Sequence, residues 1–130
     1  IVEILYGPAF TRDQVAGISP EVVRIAAEGD EITRGIVTMA GERLAGLAIA
    51  VAGRLFAPDA AVDIYPTGGV FNAGSLVTGP FRETLLAARP GATIREPRFA
   101  PVYGALFRAY RAMGVEITAE VLRNLEDGRA

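Results

Sequence analysis

The stretch Asp63-Ile64-Tyr65-Pro66-Thr67-Gly68-Gly69-Val70-Phe71-Asn72 is where this chain's residue types and spacing could do chemistry. It reads as a short strand whose carboxyl end enters a Gly-Gly turn and then a helix. In open α/β sheets, ligands sit beyond the carboxyl ends of the strands. Two adjacent glycines leave backbone N–H and C=O groups unscreened by Cβ, so a flat group can lie against the chain. The N–H groups at a helix start favour an anionic or acceptor-rich ligand. The alternative is that Gly68-Gly69 is only a tight turn, the commoner role of such a pair. The stretch is neither a Gly-x-Gly-x-x-Gly fingerprint nor a Walker A loop.

The rest of the chemical vocabulary is limited by absences. The 130 residues contain no Cys, no His and no Lys; all 13 basic residues are Arg. Disulfides, thiolate or imidazole metal ligands, a cysteine nucleophile, an imidazole base, a Schiff base and a P-loop lysine are therefore excluded within this chain. No catalytic residue and no metal ligand is assigned. A net charge of −2 argues against a nucleic-acid binder built on a basic patch, and 51% hydrophobic residues exclude a disordered chain. The Arg95, Arg98 and Arg108 set is a candidate phosphate-seeking patch, interrupted by Glu96. Glu116, Glu120, Glu126 and Asp127 form an acidic tail, expected to be a solvated helix face.

The elements that must position the Gly-Gly turn follow from pattern. Thr11 and Gln14 have capping-box form, predicting a short helix to about residue 18; Ser19-Pro20-Glu21 restarts one that stops at Gly29. Asp30 caps a long helix over 31–56, with an apolar stripe at Ile36, Ala40, Leu44, Leu47, Val51 and Leu55. Gly46, Ala50 and Gly53 mark either a closely packed backbone or mere composition drift. Strands are predicted at 61–65 and 92–96. Between them Ser75 caps a helix to residue 88, kinked or restarted at Gly79-Pro80. Arg89-Pro90-Gly91 ends it. Residues 102–113 form a helix with Val102, Ala105, Leu106, Ala109 and Met113 on one face, Gly114 closes it, and Thr118 caps a last helix to about residue 127.

A strand–helix–strand unit of this length implies two parallel strands. Two strands are too few for a stable sheet, so either residues 1–6 add one or the rest of the sheet lies upstream. The uncharged run at residues 44–53, between Arg43 and Arg54, is too short to span a bilayer, and no signal-peptide pattern opens the chain at Ile1. The expectation is a cytoplasmic piece whose natural start lies upstream.

Thr67-Gly68-Gly69-Val70-Phe71, the Pro80-Phe81-Arg82-Glu83 helix, a strand near Ile94 and Pro101-Val102-Tyr103-Gly104-Ala105-Leu106 together resemble the C-terminal end of the BadF/BadG/BcrA/BcrD ATPase family. That family includes bacterial N-acetylglucosamine kinases and belongs to the actin/hexokinase-like superfamily. The resemblance extends to Tyr6-Gly7-Pro8-Ala9-Phe10 and the helix after Gly29-Asp30, so it covers about residues 5–114. Pro66 departs from the family's usual apolar residue. The resemblance implies an α/β fold, with residues 1–130 being part of a C-terminal actin-like (ribonuclease H-like) nucleotide-binding domain and the N-terminal phosphate-binding domain absent. It implies that Gly68 and Gly69 line adenine and ribose, that Thr67, Val70 and Asn72 flank that pocket, and that Gly104 permits close helix approach at an interdomain hinge. The implied activity of the complete protein is ATP-dependent transfer of the γ-phosphoryl group to a sugar hydroxyl. ATP and Mg²⁺ would be its cofactors, with the Mg²⁺ ligands and the catalytic aspartate outside this chain. The alternatives are an ATPase activator of a dehydratase or reductase from the same family, and a non-catalytic nucleotide-binding regulatory module. The expected partners are ATP and a sugar, with no nucleic acid and no membrane, and with homo-oligomers allowed by exposed apolar surface.

Overall fold

The computed structural model describes residues 12–127, which form a mixed α/β arrangement that is mostly helical. The helices are α1 (Arg12–Ala27), α2 (Glu31–Leu55), α3 (Ser75–Ala88), α4 (Pro101–Ala112) and α5 (Ala119–Asp127). The strands are β1 (Val62–Ile64) and β2 (Ala92–Ile94), and a 3-10 turn covers Gly69–Ala73. The chain divides into two compact units, one ending at Arg95 and the other starting at Glu96. Residues 1–11, with the Thr11 cap and the candidate first strand, lie outside the described residues.

Capping chemistry sets the α1–α2 corner. Gly29 takes φ +105°, a conformation a side chain disfavours, and ends α1. Asp30 then accepts the Thr33 backbone N–H at 2.8 Å and the Thr33 hydroxyl at 2.9 Å. Arg34 reaches back to donate to the Ala26 carbonyl at 3.1 Å. The Thr33 backbone and side-chain hydrogen bonds hold the Asp30 carboxyl below its ordinary value of 3.8. A lowered folded value means that the cap stabilises fully above the unfolded value and is lost as pH falls through the folded one. Asp30→Asn keeps a cap but carries no charge to titrate. It should flatten the acid limb of the thermal midpoint below about pH 4 while leaving the neutral-pH midpoint nearly unchanged. Circular-dichroism melts across that range check this.

The expected break at residues 18–19 does not occur: α1 is one helix with Pro20 inside it. Proline fixes a helical φ and removes a single hydrogen bond. Its ring crowds the Ala16 carbonyl, the acceptor its missing N–H would have used. α3 likewise runs through Gly79-Pro80 as one helix, and its N-cap is Gly74 at φ +61°, not Ser75.

The first unit's core has two clusters. Ala26, Val37 and Val77 join α1, α2 and α3; Ala45, Phe81 and Leu85 join α2 and α3 to Ile64, Ala92 and Ile94 of the strands. The buried face of α2 is therefore Val37, Gly41, Ala45 and Ala52, while Ile36, Leu47, Val51 and Leu55 of the expected stripe are exposed. The small face wins because it accepts the large side chains of α3 as knobs and lets the two backbones come close. The close approach is at Gly41, whose added Cβ would lie 2.5 Å from the Val77 carbonyl oxygen. Gly46 has nothing within 4 Å, and Gly53 meets only an Arg89 guanidinium nitrogen at 3.4 Å. By length and composition α2 could also cross a membrane.

The two strands pair in parallel, Val62 with Ala92 and Ile64 with Ile94, as the strand–helix–strand pattern predicts. Among the described residues the sheet has no third strand. One face carries Ile64, Ala92 and Ile94 against Phe81 and Leu85; Asp63 and Thr93 alternate to the other, exposed face.

In the second unit Pro101 occupies the first turn of α4. Gly114 at φ +73° closes that helix, with the Val115 N–H bonded to the Tyr110 carbonyl at 2.9 Å. The Thr118 hydroxyl accepts the Val121 N–H at 3.3 Å to start α5. The half-buried face of α4 is Tyr103, Leu106, Phe107 and Tyr110, whereas Val102 and Met113 are exposed. Phe99 decides this: its ring meets Tyr103 at 5.4 Å and Phe107 edge-on at 5.5 Å, a geometry that aromatic quadrupoles favour over an aliphatic row.

Candidate functional site

The carboxyl end of β1 enters the turn through Tyr65, Pro66 and Thr67. Gly68 caps the 3-10 segment at φ +108° and ψ 159°, and its carbonyl accepts the Phe71 N–H at 3.1 Å. Only glycine adopts that backbone without strain. Phe71 anchors the turn, packing edge-on against Phe81 with ring centroids 5.3 Å apart. With Phe71 turned into the core, Gly69, Val70 and Asn72 stay on the exposed side.

Gly69, Val70 and Asn72 line an open cleft of 890 Å³. Its other walls are Ile18, Ser19, Pro20, Val22 and Val23 of α1, Ile36, Val37 and Ala40 of α2, and Ala73 and Val77. Sequence reasoning missed the α1 and α2 walls. Ser19 and Pro20 read as a helix start, which hides that they sit within a helix whose apolar residues face the turn.

Among the described residues the cleft is apolar, with Ser19 and Asn72 as its polar side chains and no Asp, Glu or Arg in its lining. Such a lining suits a flat heteroaromatic group that needs burial and one or two hydrogen bonds. It does not suit a triphosphate, which needs cationic or clustered N–H donors. Nor does it suit Mg²⁺, which needs oxygen ligands; no cluster of three or more acidic residues occurs among the described residues. The helix start offers less to an anion than the sequence suggests. The Gly74 N–H is bonded to the Phe71 carbonyl, and the Val77 and Thr78 N–H groups to that of Gly74.

Thr67 and Gly68 are exposed and lead into the cleft without lining it. Gly104 belongs to the second compact unit, on α4, and an added Cβ there has nothing within 4 Å. The close approach expected at Gly104 is absent among the described residues. Gly104→Ala should therefore raise stability by about 0.5–1 kcal/mol through helix propensity, whereas a packed neighbour would make it fall. Urea unfolding followed at 222 nm measures the sign.

The candidate arginine patch is divided among carboxylates. Arg95 pairs with Asp63 at 2.8 Å, which raises the Arg95 pKa. Arg98 makes a two-pronged pair with Glu126, at 2.5 and 2.8 Å. Glu126 is thus a partner within its own unit rather than a solvated tail residue. Arg82 and Glu83 are exposed, as expected for a charged pair on a helix.

No protein-family model, no curated protein and no solved structure matches the chain.

Proposed function

We propose that the cleft beside Gly69, Val70 and Asn72 holds the adenosine of ATP. On this proposal the chain is the adenosine-side part of a cytoplasmic ATP-dependent sugar kinase with an actin-like fold, similar to N-acetylglucosamine kinases. The observation that carries the first statement is the uncharged, largely apolar cleft at the carboxyl end of β1, walled on one side by the Gly-Gly turn. The resemblance at residues 67–72 and 101–106 supports the second. The base enters the apolar space between Val70 and α1, and the Asn72 amide supplies hydrogen bonds to its edge. The uncharged lining leaves the triphosphate, its Mg²⁺ and the sugar to residues outside this chain. This chain contributes binding and orientation of the nucleotide, and the phosphoryl-transfer step needs groups it lacks.

Titration calorimetry of adenosine and ATP into the protein tests the proposal. Adenosine and ATP should bind within about threefold of one another, with little salt dependence, because no described residue lining the cleft is a cation that could grip phosphate. Gly69→Val should weaken both by at least about tenfold. An added Cβ at Gly69 meets nothing within 4 Å, so the thermal midpoint should stay unchanged. Equal binding by wild type and variant, or no binding of adenosine at all, overturns the assignment.

A further inference from the structure

We infer that the cleft takes purine nucleotides as a class, GTP as well as ATP, and that the Asn72 amide is what reads the base edge. The inference rests on the reading of this cleft as the nucleotide site. Selection between bases needs polar groups of fixed polarity, held where water cannot replace a wrong partner. The described lining meets neither condition. Its polar side chains are Ser19 and Asn72. A hydroxyl donates or accepts by rotating. A primary amide presents a donor beside an acceptor, and a half-turn reverses the two. Adenine offers a donor at N6 beside an acceptor at N1, and guanine offers an acceptor at O6 beside a donor at N1. One orientation of the Asn72 amide therefore matches adenine, and the opposite orientation matches guanine.

Three backbone donors around the turn are already used. The Phe71 N–H is bonded to the Gly68 carbonyl, the Gly74 N–H to that of Phe71 and the Val77 N–H to that of Gly74, each at 3.1 Å. The other walls, among them Ile18, Val22, Val70 and Ala73, are apolar and suit the face of a ring. Both purines present such a face, and contact with it is indifferent to the substituents at the edge. The 2-amino group of guanine, which adenine lacks, meets no enclosed wall, because the cleft is open and Ser19 and Asn72 are both exposed. That group keeps its water, so leaving it without a protein partner costs little. A pyrimidine covers less of the apolar wall with its single ring and gains less from burial.

Calorimetric titration of ATP, GTP and UTP into the protein and into Asn72→Asp tests the inference. In the wild type GTP should bind within about fivefold of ATP, and UTP should be at least about fivefold weaker than either. Asn72→Asp exchanges the reversible amide for two acceptors. A carboxylate accepts both the N1–H and the N2–H of guanine, but it sets an acceptor against N1 of adenine. The variant should therefore prefer GTP to ATP by at least about tenfold. The ratio is the readout, since the added charge repels each triphosphate alike. ATP binding with GTP more than about fivefold weaker overturns the inference and leaves the nucleotide site standing. A ratio that Asn72→Asp does not move, or UTP binding as tightly as ATP, overturns it in the same way. A protein that binds none of the three, and no adenosine, overturns the inference together with the reading beneath it.

Discussion

Gly41→Ala should destabilise the protein by about 1–3 kcal/mol, although alanine is the better helix former by about 1 kcal/mol. The added Cβ would sit 2.5 Å from the Val77 carbonyl oxygen, 3.2 Å from the Phe81 nitrogen and 3.2 Å from the Pro80 Cβ. Two of these neighbours are backbone atoms of α3, so no flexible side chain can yield. α2 and α3 must separate, and Ala45, Phe81 and Leu85 then lose contact with one another. Gly35→Ala, on the same helix with nothing within 4 Å, should be stabilising by about 0.5–1 kcal/mol. Denaturant midpoints for the two variants should therefore move in opposite directions. A gain of stability in Gly41→Ala would mean that α2 and α3 do not meet at this glycine.

Arg89→Ala should cost about 2–3 kcal/mol. Arg89 is 8% exposed, an unusual depth for a guanidinium. It follows α3, yet its Nη1 donates to the Ala57 carbonyl at 2.7 Å and to the Pro58 carbonyl at 3.2 Å, 31 and 32 residues earlier in the chain. A second guanidinium nitrogen lies 3.4 Å from where a Cβ on Gly53 would be. The side chain thus caps the turn that leaves α2 and fixes how the chain enters β1, and the negative end of the α2 dipole favours its charge. Removing it leaves the Ala57 carbonyl with only the Ala60 N–H and the Pro58 carbonyl without its guanidinium donor, and opens a gap beneath Gly53. Arg89→Lys should recover less than half of the loss, because one ammonium cannot reproduce the planar fork. Urea unfolding with an unchanged m-value would show that the loss is native-state stability. A change below about 0.5 kcal/mol in Arg89→Ala would remove Arg89 from that role.

Several helix-end rules that depend on neighbours in sequence hold here, though not at Ser19-Pro20 or Ser75. Asp30, Gly114 and Thr118 do at the helix ends what their types predict, because a cap is a contact across three or four residues. The strand–helix–strand unit was legible for the same reason, with the two strands shorter by two residues each than β-propensity suggests. The Gly68-Gly69 turn was legible as a turn. Its relation to a cleft was not, since α1 and α2 supply most of the walls from distant parts of the chain.

Periodicity placed only part of the buried face of α2 and of α4. On α2 Leu44 of the expected row packs on both core clusters, while Ile36, Leu47 and Val51 are exposed and the buried positions are Val37, Gly41, Ala45 and Ala52. On α4 the row through Val102 and Met113 reads as core, yet Phe99 selects Tyr103 and Phe107. By itself, the amino-acid order determined most helix ends, which segments pair as strands, and which chemistry the chain lacks. Those outcomes follow from backbone hydrogen bonds and side-chain types within a few residues. Only the tertiary structure decided which helix faces are buried, which glycine is indispensable, where Arg89 and the other arginines spend their charge, and that the Gly-Gly turn opens onto an apolar cleft. Each of these depends on a surface brought from elsewhere in the chain, and shape complementarity between two surfaces is not a property of either one's sequence alone.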